Sequence, residues 1–346
     1  MVDNISMKVD NKISDIIIKN IKQHPVDVIS FVAAEVGVSR QAVYKHLKHL
    51  LDTGQIVNNG TKRLPLYQLV AGHPQRKYKI FMVDKNLDEH NIWNDFVSPG
   101  LEKLKSKLVG ICQYGFTEIL NNVVDHSGAQ TVKVTVSANA EIIMEIHDNG
   151  IGIFDKLKSF LQVSDEKEAI LHLTKGKLTS DPSKHTGEGI FFTSRIFDNF
   201  EISSGTTLYT RFADNDWSVR TLDKKIIGTN VIMRIKANSD KDIKEIFKKY
   251  SNENFEFSTT EPLVELTLNK NETYISRSQA KRLLFNLDNF KLIILDFKNV
   301  EMLGQGFVDE VFRVYQNAHP QISLEYKNAN ADVEFMIKRG LSVNNA

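Results

Sequence analysis

The chain of 346 residues is short of several things, and each shortage removes a class of function. Cys112 is its only cysteine, which rules out an intramolecular disulfide or a multi-cysteine zinc cage and points to a reducing compartment. No GxxxxGK[ST] loop occurs, which argues against a P-loop enzyme. No apolar run approaches bilayer length, and the opening MVDNISMKVDNK lacks the charged-then-apolar order of a secretion signal. A cytoplasmic protein with no membrane partner is the expectation. The formal net charge is only +1, so the molecule as a whole is no polycation that would coat nucleic acid indiscriminately.

Hydrophobic residues make up 41% of the chain, enough for ordinary packed cores. Three textures follow one another, and the fold class they predict is α/β in the α+β sense. Residues 1–75 read as helix, helix, turn, helix, hairpin. Residues 76–238 mix long helices and strands around glycine-containing loops. Residues 239–346 begin with an amphipathic connecting stretch, SDKDIKEIFKKYSNENF, and then alternate strand and helix.

The positive charge is local. From Ser39 to Lys79 the chain carries Arg40, Lys45, Lys48, Lys62, Arg63, Arg76, Lys77 and Lys79 against one acid, Asp52. Ser39 is a good N-cap for a helix that buries Val43, Leu47 and Leu50 at helical spacing while Arg40, Gln41, Tyr44, Lys45 and Lys48 face elsewhere. Asn58-Asn59-Gly60 is a hairpin signal, with Lys62 and Arg63 expected at its tip. Such side chains reach phosphates and base edges. The segment resembles the winged helix-turn-helix domains of bacterial transcription regulators, which implies double-stranded DNA as a partner.

Four further motifs lie in the middle. The helix GFTEILNNVVDHSG carries Glu118, Asn122 and His126 at i, i+4 and i+8, so one face presents a carboxylate, an amide and an imidazole. A carboxylate can orient or deprotonate a water, and an amide oxygen is a hard ligand suited to magnesium held mainly by phosphates. DNGIG from Asp148 follows an expected strand. An acid there can accept a hydrogen bond from an exocyclic amine, and Gly150 and Gly152 let backbone pass close to a flat ring. Gly187 and Gly189 in HTGEGIFF precede an apolar helix whose free N–H groups can cradle anionic oxygens. Gly228-Thr229 is expected to open a last strand, with the threonine hydroxyl behind the acid.

The order Glu-xxx-Asn-xxx-His, DNGIG, TGEG and GT is similar to the GHKL superfamily of gyrase-type ATPases, histidine kinases and anti-sigma-factor kinases, whose ATP domain is the Bergerat α/β sandwich. The resemblance implies ATP and magnesium as cofactors. Asn122 would hold the metal, Asp148 the adenine amine, Gly150 and Gly152 the edge of the base, and Gly187 and Gly189 the phosphates. Thr229 would lie behind the adenine, Glu118 would be the general base, and His126 and Asp125 are further candidates. Residues 154–184 would form a mobile lid whose Lys175, Lys177 and Lys184 reach phosphate on closure.

The C-terminal run SRSQAKRLLFNLDNFKLIILDFKNVEMLGQGFVDEVFRVYQ reads as helix, buried strand, loop and amphipathic helix, and resembles STAS-like domains, the fold of anti-sigma-factor antagonists. The loop that bears a phosphorylated serine in those antagonists is here Met302-Leu303-Gly304-Gln305-Gly306, without Ser or Thr. A partner protein could dock on this segment, and pairing of two copies stays open. Two functional readings stand side by side. One is an ATP-binding, ATP-hydrolysing DNA-binding regulator; the other is a serine/threonine protein kinase of the anti-sigma type acting on a separate partner.

Overall fold

The structure, a computed structural model, describes residues 13–52, 55–61, 64–69, 77–84, 87–163, 165–178, 187–214, 216–268 and 274–342. They form a mixed α/β architecture divided into two compact units, with the boundary between Arg76 and Lys77. Among the described residues no helix is long and apolar enough to cross a membrane.

In the first unit, helix α1 (residues 13–20) is followed by helices α2 (Val28–Val36) and α3 (Arg40–Asp52). Ile13, Ile17, Val28, Val32, Val43 and Leu47 are buried together, the i, i+4 spacing of each helix supplying one apolar stripe. Gly37, in the left-handed region, ends α2, and Ser39 Oγ accepts the Ala42 N–H at 3.2 Å to start α3. Strands β1 (Ile56–Asn58) and β2 (Tyr67–Leu69) pair antiparallel. Asn58 Oδ1 accepts the N–H groups of Gly60 and Leu66, both at 2.9 Å, and so clamps the loop between the strands. Lys62 and Arg63, expected at its tip, lie outside the described residues.

The second unit is built on a five-stranded antiparallel sheet in the order β3-β4-β5-β7-β6, with β3 Lys77–Met82, β4 Thr131–Ala138, β5 Glu141–Asp148, β6 Asn199–Phe212 and β7 Trp217–Lys236. Alternate residues of the central strands, Val132, Val134, Ile142, Met144, Ile146, Val231 and Met233, are buried on one face. Against that face lies the helix Ser106–Asn122 with Leu108, Ile111, Cys112, Phe116 and Ile119. Gly228 does not open a strand as expected; it sits inside the long β7, where its φ of 72° and the register shifts around Gly205 kink the hairpin.

The C-terminal part belongs to the same compact unit and the same continuous core. Its three-stranded parallel sheet has Leu292–Asp296 at the centre, between Ser323–Lys327 and Thr259–Thr260. The helix Arg277–Leu284 starts with a capping box, Ser276 with Gln279, and the helix Ala331–Ser342 closes the chain's described part.

Residues 166–175 depart most from expectation. In place of a solvated lid they form a helix, Glu166–Lys175, whose residues from Ala169 to Lys175 are all buried against the core. The Lys175 ammonium is 2% exposed and donates to the carbonyls of Phe285 (3.0 Å) and Arg282 (3.2 Å), the C-terminal end of the helix Arg277–Leu284. It is therefore turned away from any lid-borne ligand. Burial, opposed by Glu168, pushes its pKa down from 10.5 to about 7, and the facing His172 ring, 3.3 Å away, is held neutral by the same burial and by Lys175 itself. The folded chain thus releases this proton before the unfolded chain does. The unfolded state binds more protons between about pH 7 and pH 10, so this group's penalty on stability is full below that window and is relieved as pH rises through it. The unfolding free energy of wild type relative to Lys175→Met should rise over that window in urea titrations. Parallel stability curves for the two proteins would overturn the assignment.

Candidate functional site

Glu118 and Asn122 project from the last turns of the helix Ser106–Asn122, which passes at Val123–Ser127 into a π-helical turn. In a straight α-helix four residues overshoot a full turn by about 40°, so an i+8 residue drifts off the face. A π turn winds less per residue and returns His126 towards it. Glu118, Asn122 and His126 all line one cavity of about 340 Å³.

Asp148, the last residue of β5, lines the same cavity and is 2% exposed. Burial raises its pKa. The Gly150 N–H, the Thr229 backbone N–H and the Thr229 hydroxyl act in the opposite direction, the first at 2.7 Å from Oδ1. Thr229 Oγ1 also accepts the Ile153 N–H at 2.9 Å, which fixes the start of the helix Ile153–Leu161 beside the acid. Asn149 is turned to a structural task, its Oδ1 accepting the N–H groups of Gln130 and Thr131 at the start of β4.

Two glycines make this corner possible. Gly152 has φ 86° and ψ 133°, a region that side chains avoid, and a Cβ there would meet Ser204 Oγ inside contact distance and Gly228 O at 3.2 Å. Gly228, at φ 72°, backs directly onto Asp148. Gly150 does not line the cavity; it packs on the Ser127 carbonyl and serves the turn that presents Asp148.

Gly187 and Gly189 line the cavity, and Gly189 is the first residue of the helix Gly189–Ile196. The Glu118 carboxylate occupies the space that a Gly189 side chain would fill. Its negative charge lies at the positive end of that helix, and together with Glu188 it raises the pKa of the already buried Tyr114.

Lys177 is not among the cavity's lining residues. Its ammonium donates to the Asn289 carbonyl at 2.9 Å and sits 4.8 Å from the Phe290 ring centre, so its charge is engaged with the C-terminal part. Lys184 lies outside the described residues. The cation that the sequence reading missed is Lys156, half-buried in the cavity wall, with Nζ donating to the His126 carbonyl at 2.7 Å. The signal was present: Ile153, Lys156, Leu157 and Phe160 follow DNGIG at i, i+3, i+4 and i+7, and all four line the cavity. Ile146, Leu173, Leu178 and Val231 add apolar wall. Among the described residues there is no group of three or more His, Cys, Asp or Glu able to cage a metal.

In the first unit Arg40, Gln41, Tyr44, Lys45 and Lys48 are all exposed on α3, and the last four fall at i, i+3, i+4 and i+7. They form one continuous polar and basic face.

Residues 279–334 match the family described as a STAS-like domain of unknown function (DUF4325). The match covers the helix Arg277–Leu284 from its third residue through the central parallel strand to the start of the last helix. No curated protein matches the chain.

The Gly152 corner generates a stability test. Gly205 also has a positive φ, 58°, yet a Cβ there meets nothing within 4 Å. Gly205→Ala should therefore cost about 1 kcal/mol of backbone strain, and Gly152→Ala, with a steric clash added, about 2–4 kcal/mol. Chemical denaturation compares them, and equal costs would remove the close packing of Gly152 on Ser204 and Gly228.

Proposed function

We propose that the cavity is a GHKL-type (Bergerat) ATP site and that the chain is an ATP-hydrolysing regulator that binds DNA through a winged helix-turn-helix domain. The observation that carries the nucleotide reading is convergence: Glu118, Asn122 and His126, then Asp148 and Gly152, then Gly187 and Gly189, then Thr229 come from four distant stretches of chain and line one cavity. Its volume, about 340 Å³, is within the range of small-molecule sites, and its apolar walls with a few convergent polar groups suit a flat base carrying a charged tail.

The chemistry of the lining residues supports the cofactor reading. A buried carboxylate held by Thr229 and Gly150 offers an acceptor of the kind an adenine amine requires, beside a glycine that leaves no room for a side chain. The Asn122 amide oxygen, which lines the cavity, would be the protein ligand of a magnesium ion held chiefly by phosphates. Bound ATP and magnesium would supply the phosphoanhydride and its charge neutralisation. Glu118, fixed beside Gly189 at the start of a helix, orients a water and accepts its proton. Glu118→Gln should keep ATP affinity within a few-fold in calorimetry and slow phosphate release by about two to four orders of magnitude. Asp148→Asn should lose ATP affinity, because it places a donor against a donor. With γ-labelled ATP, label leaving as free phosphate supports hydrolysis. Label retained on a partner protein would move the reading to the anti-sigma-type kinase. Undiminished turnover by Glu118→Gln would remove this base.

The exposed α3 face supports the DNA reading, with Lys45 and Lys48 available to phosphates and Gln41 and Tyr44 to base edges. Duplex binding should weaken steeply with salt, as displaced counterions require, and should vanish on removal of residues 1–76. A truncated chain that binds duplex as tightly as the full chain would overturn it. The STAS-like segment is read as the surface for a partner protein.

A further inference from the structure

The cavity contains an electrostatic mismatch for the ligand proposed above. A nucleoside triphosphate is a polyanion, yet Glu118 and Asp148 are carboxylates, and the two described lysines expected to offset them, Lys175 and Lys177, are committed elsewhere. Lys175 is buried against the carbonyls of Arg282 and Phe285, and Lys177 is held by Asn289. Among the described residues that line the cavity, Lys156 is the one Lys or Arg.

Three features of Lys156 qualify it for an anion. It stands on the helix that begins directly after Gly152, so the corner that fixes Asp148 also fixes its position. Its Nζ already donates to the His126 carbonyl at 2.7 Å, which orients the amine at the mouth of the π turn and leaves an ammonium with donors to spare. The helix face that carries it also carries Leu157 and Phe160, so the charge is framed by apolar wall and is less screened than a surface lysine. Burial lowers its pKa and the nearby Asp125 opposes the loss of its proton; a bound anion would add to the second effect.

We propose that Lys156 is the cation that grips the phosphate chain of the nucleotide, and so the residue that makes the cavity prefer nucleotides to the bare nucleoside. The proposal rests on the ATP reading of the cavity. Its test is a ligand series, adenosine, AMP, ADP and ATP with magnesium, titrated by calorimetry into the full chain as wild type, Lys156→Gln and Lys156→Arg. The variants' unfolding curves must superimpose on wild type before affinities are compared.

Lys156→Gln should leave adenosine affinity within about twofold and weaken the phosphorylated ligands about 10- to 100-fold, the worth of a charge-assisted hydrogen bond. The first member of the series to show the loss identifies which phosphate is gripped. Lys156→Arg should recover most of the affinity. An equal loss for adenosine and ATP would overturn the proposal by assigning the lysine to the base or sugar, and unchanged affinities throughout would overturn it as well. Wild type that binds none of the four ligands would instead remove the ATP reading itself, and this proposal with it.

Discussion

One buried ammonium ties the second unit together. Lys175 ends the helix Glu166–Lys175 inside the protein, and the carbonyls at the end of the helix Arg277–Leu284 accept from its amine and offset part of the cost of burying its charge. The backbone joins in, for Thr260 Oγ1 donates to the Lys175 carbonyl at 2.7 Å, and Glu168 pairs with Arg282 at 3.6 Å. Two residues later Lys177 is held by Asn289. The stretch from 173 to 178 thus has two faces. Leu173 and Leu178 line the cavity, while Lys175 and Lys177 grasp the C-terminal part. A rearrangement on one side therefore disturbs the other, most of all at Lys175, whose buried amine would lose its carbonyl partners.

A second tie lies across the same boundary. Glu261, 4% exposed after the strand Thr259–Thr260, is held well below its usual pKa, at about 2, by Arg195, Lys327 and Lys249 against the cost of its own burial. Arg195 belongs to the helix Gly189–Ile196, whose first residue touches Glu118. The helix that borders the cavity at one end thus carries, near its other end, an arginine whose charge acts on Glu261 beside the parallel sheet. These groups are high-stakes when buried: satisfied, they specify one arrangement, and singly removed they leave an unpaired charge.

Much of the site was legible because its chemistry coincides with regular periodicity. Glu118, Asn122 and His126 announce a shared face through i, i+4 spacing, and glycines beside an acid announce a corner. What escaped was set by tertiary context. Lysines in a segment read as a loop look solvated, whereas Lys175 caps a distant helix through contacts more than a hundred residues away, which no local pattern contains. Gly228 looked like the start of a strand; the partner strand runs past it, and only the pairing with β6 makes it an interior kink. Lys156 was overlooked for the opposite reason. Its spacing was readable, but an isolated lysine on a helix is ordinarily a solvated one, and only the cavity distinguishes it.

The arrangement bears on the choice between hydrolysis and transfer to protein. In an anti-sigma system the kinase and its STAS-like substrate are separate proteins that meet and part. Here the STAS-like segment shares one continuous core with the cavity domain, and its loop Met302-Leu303-Gly304-Gln305-Gly306 offers no hydroxyl to receive a phosphoryl group. A segment packed in the same core as the cavity can still report on it. Any ligand that presses on Leu173 and Leu178 acts on the same short stretch that holds Arg282, Phe285 and Asn289. On the ATP reading proposed above, the fused domain is better placed to sense the cavity than to serve as its substrate, and the link would be the contacts that Lys175 and Lys177 make with main-chain carbonyls.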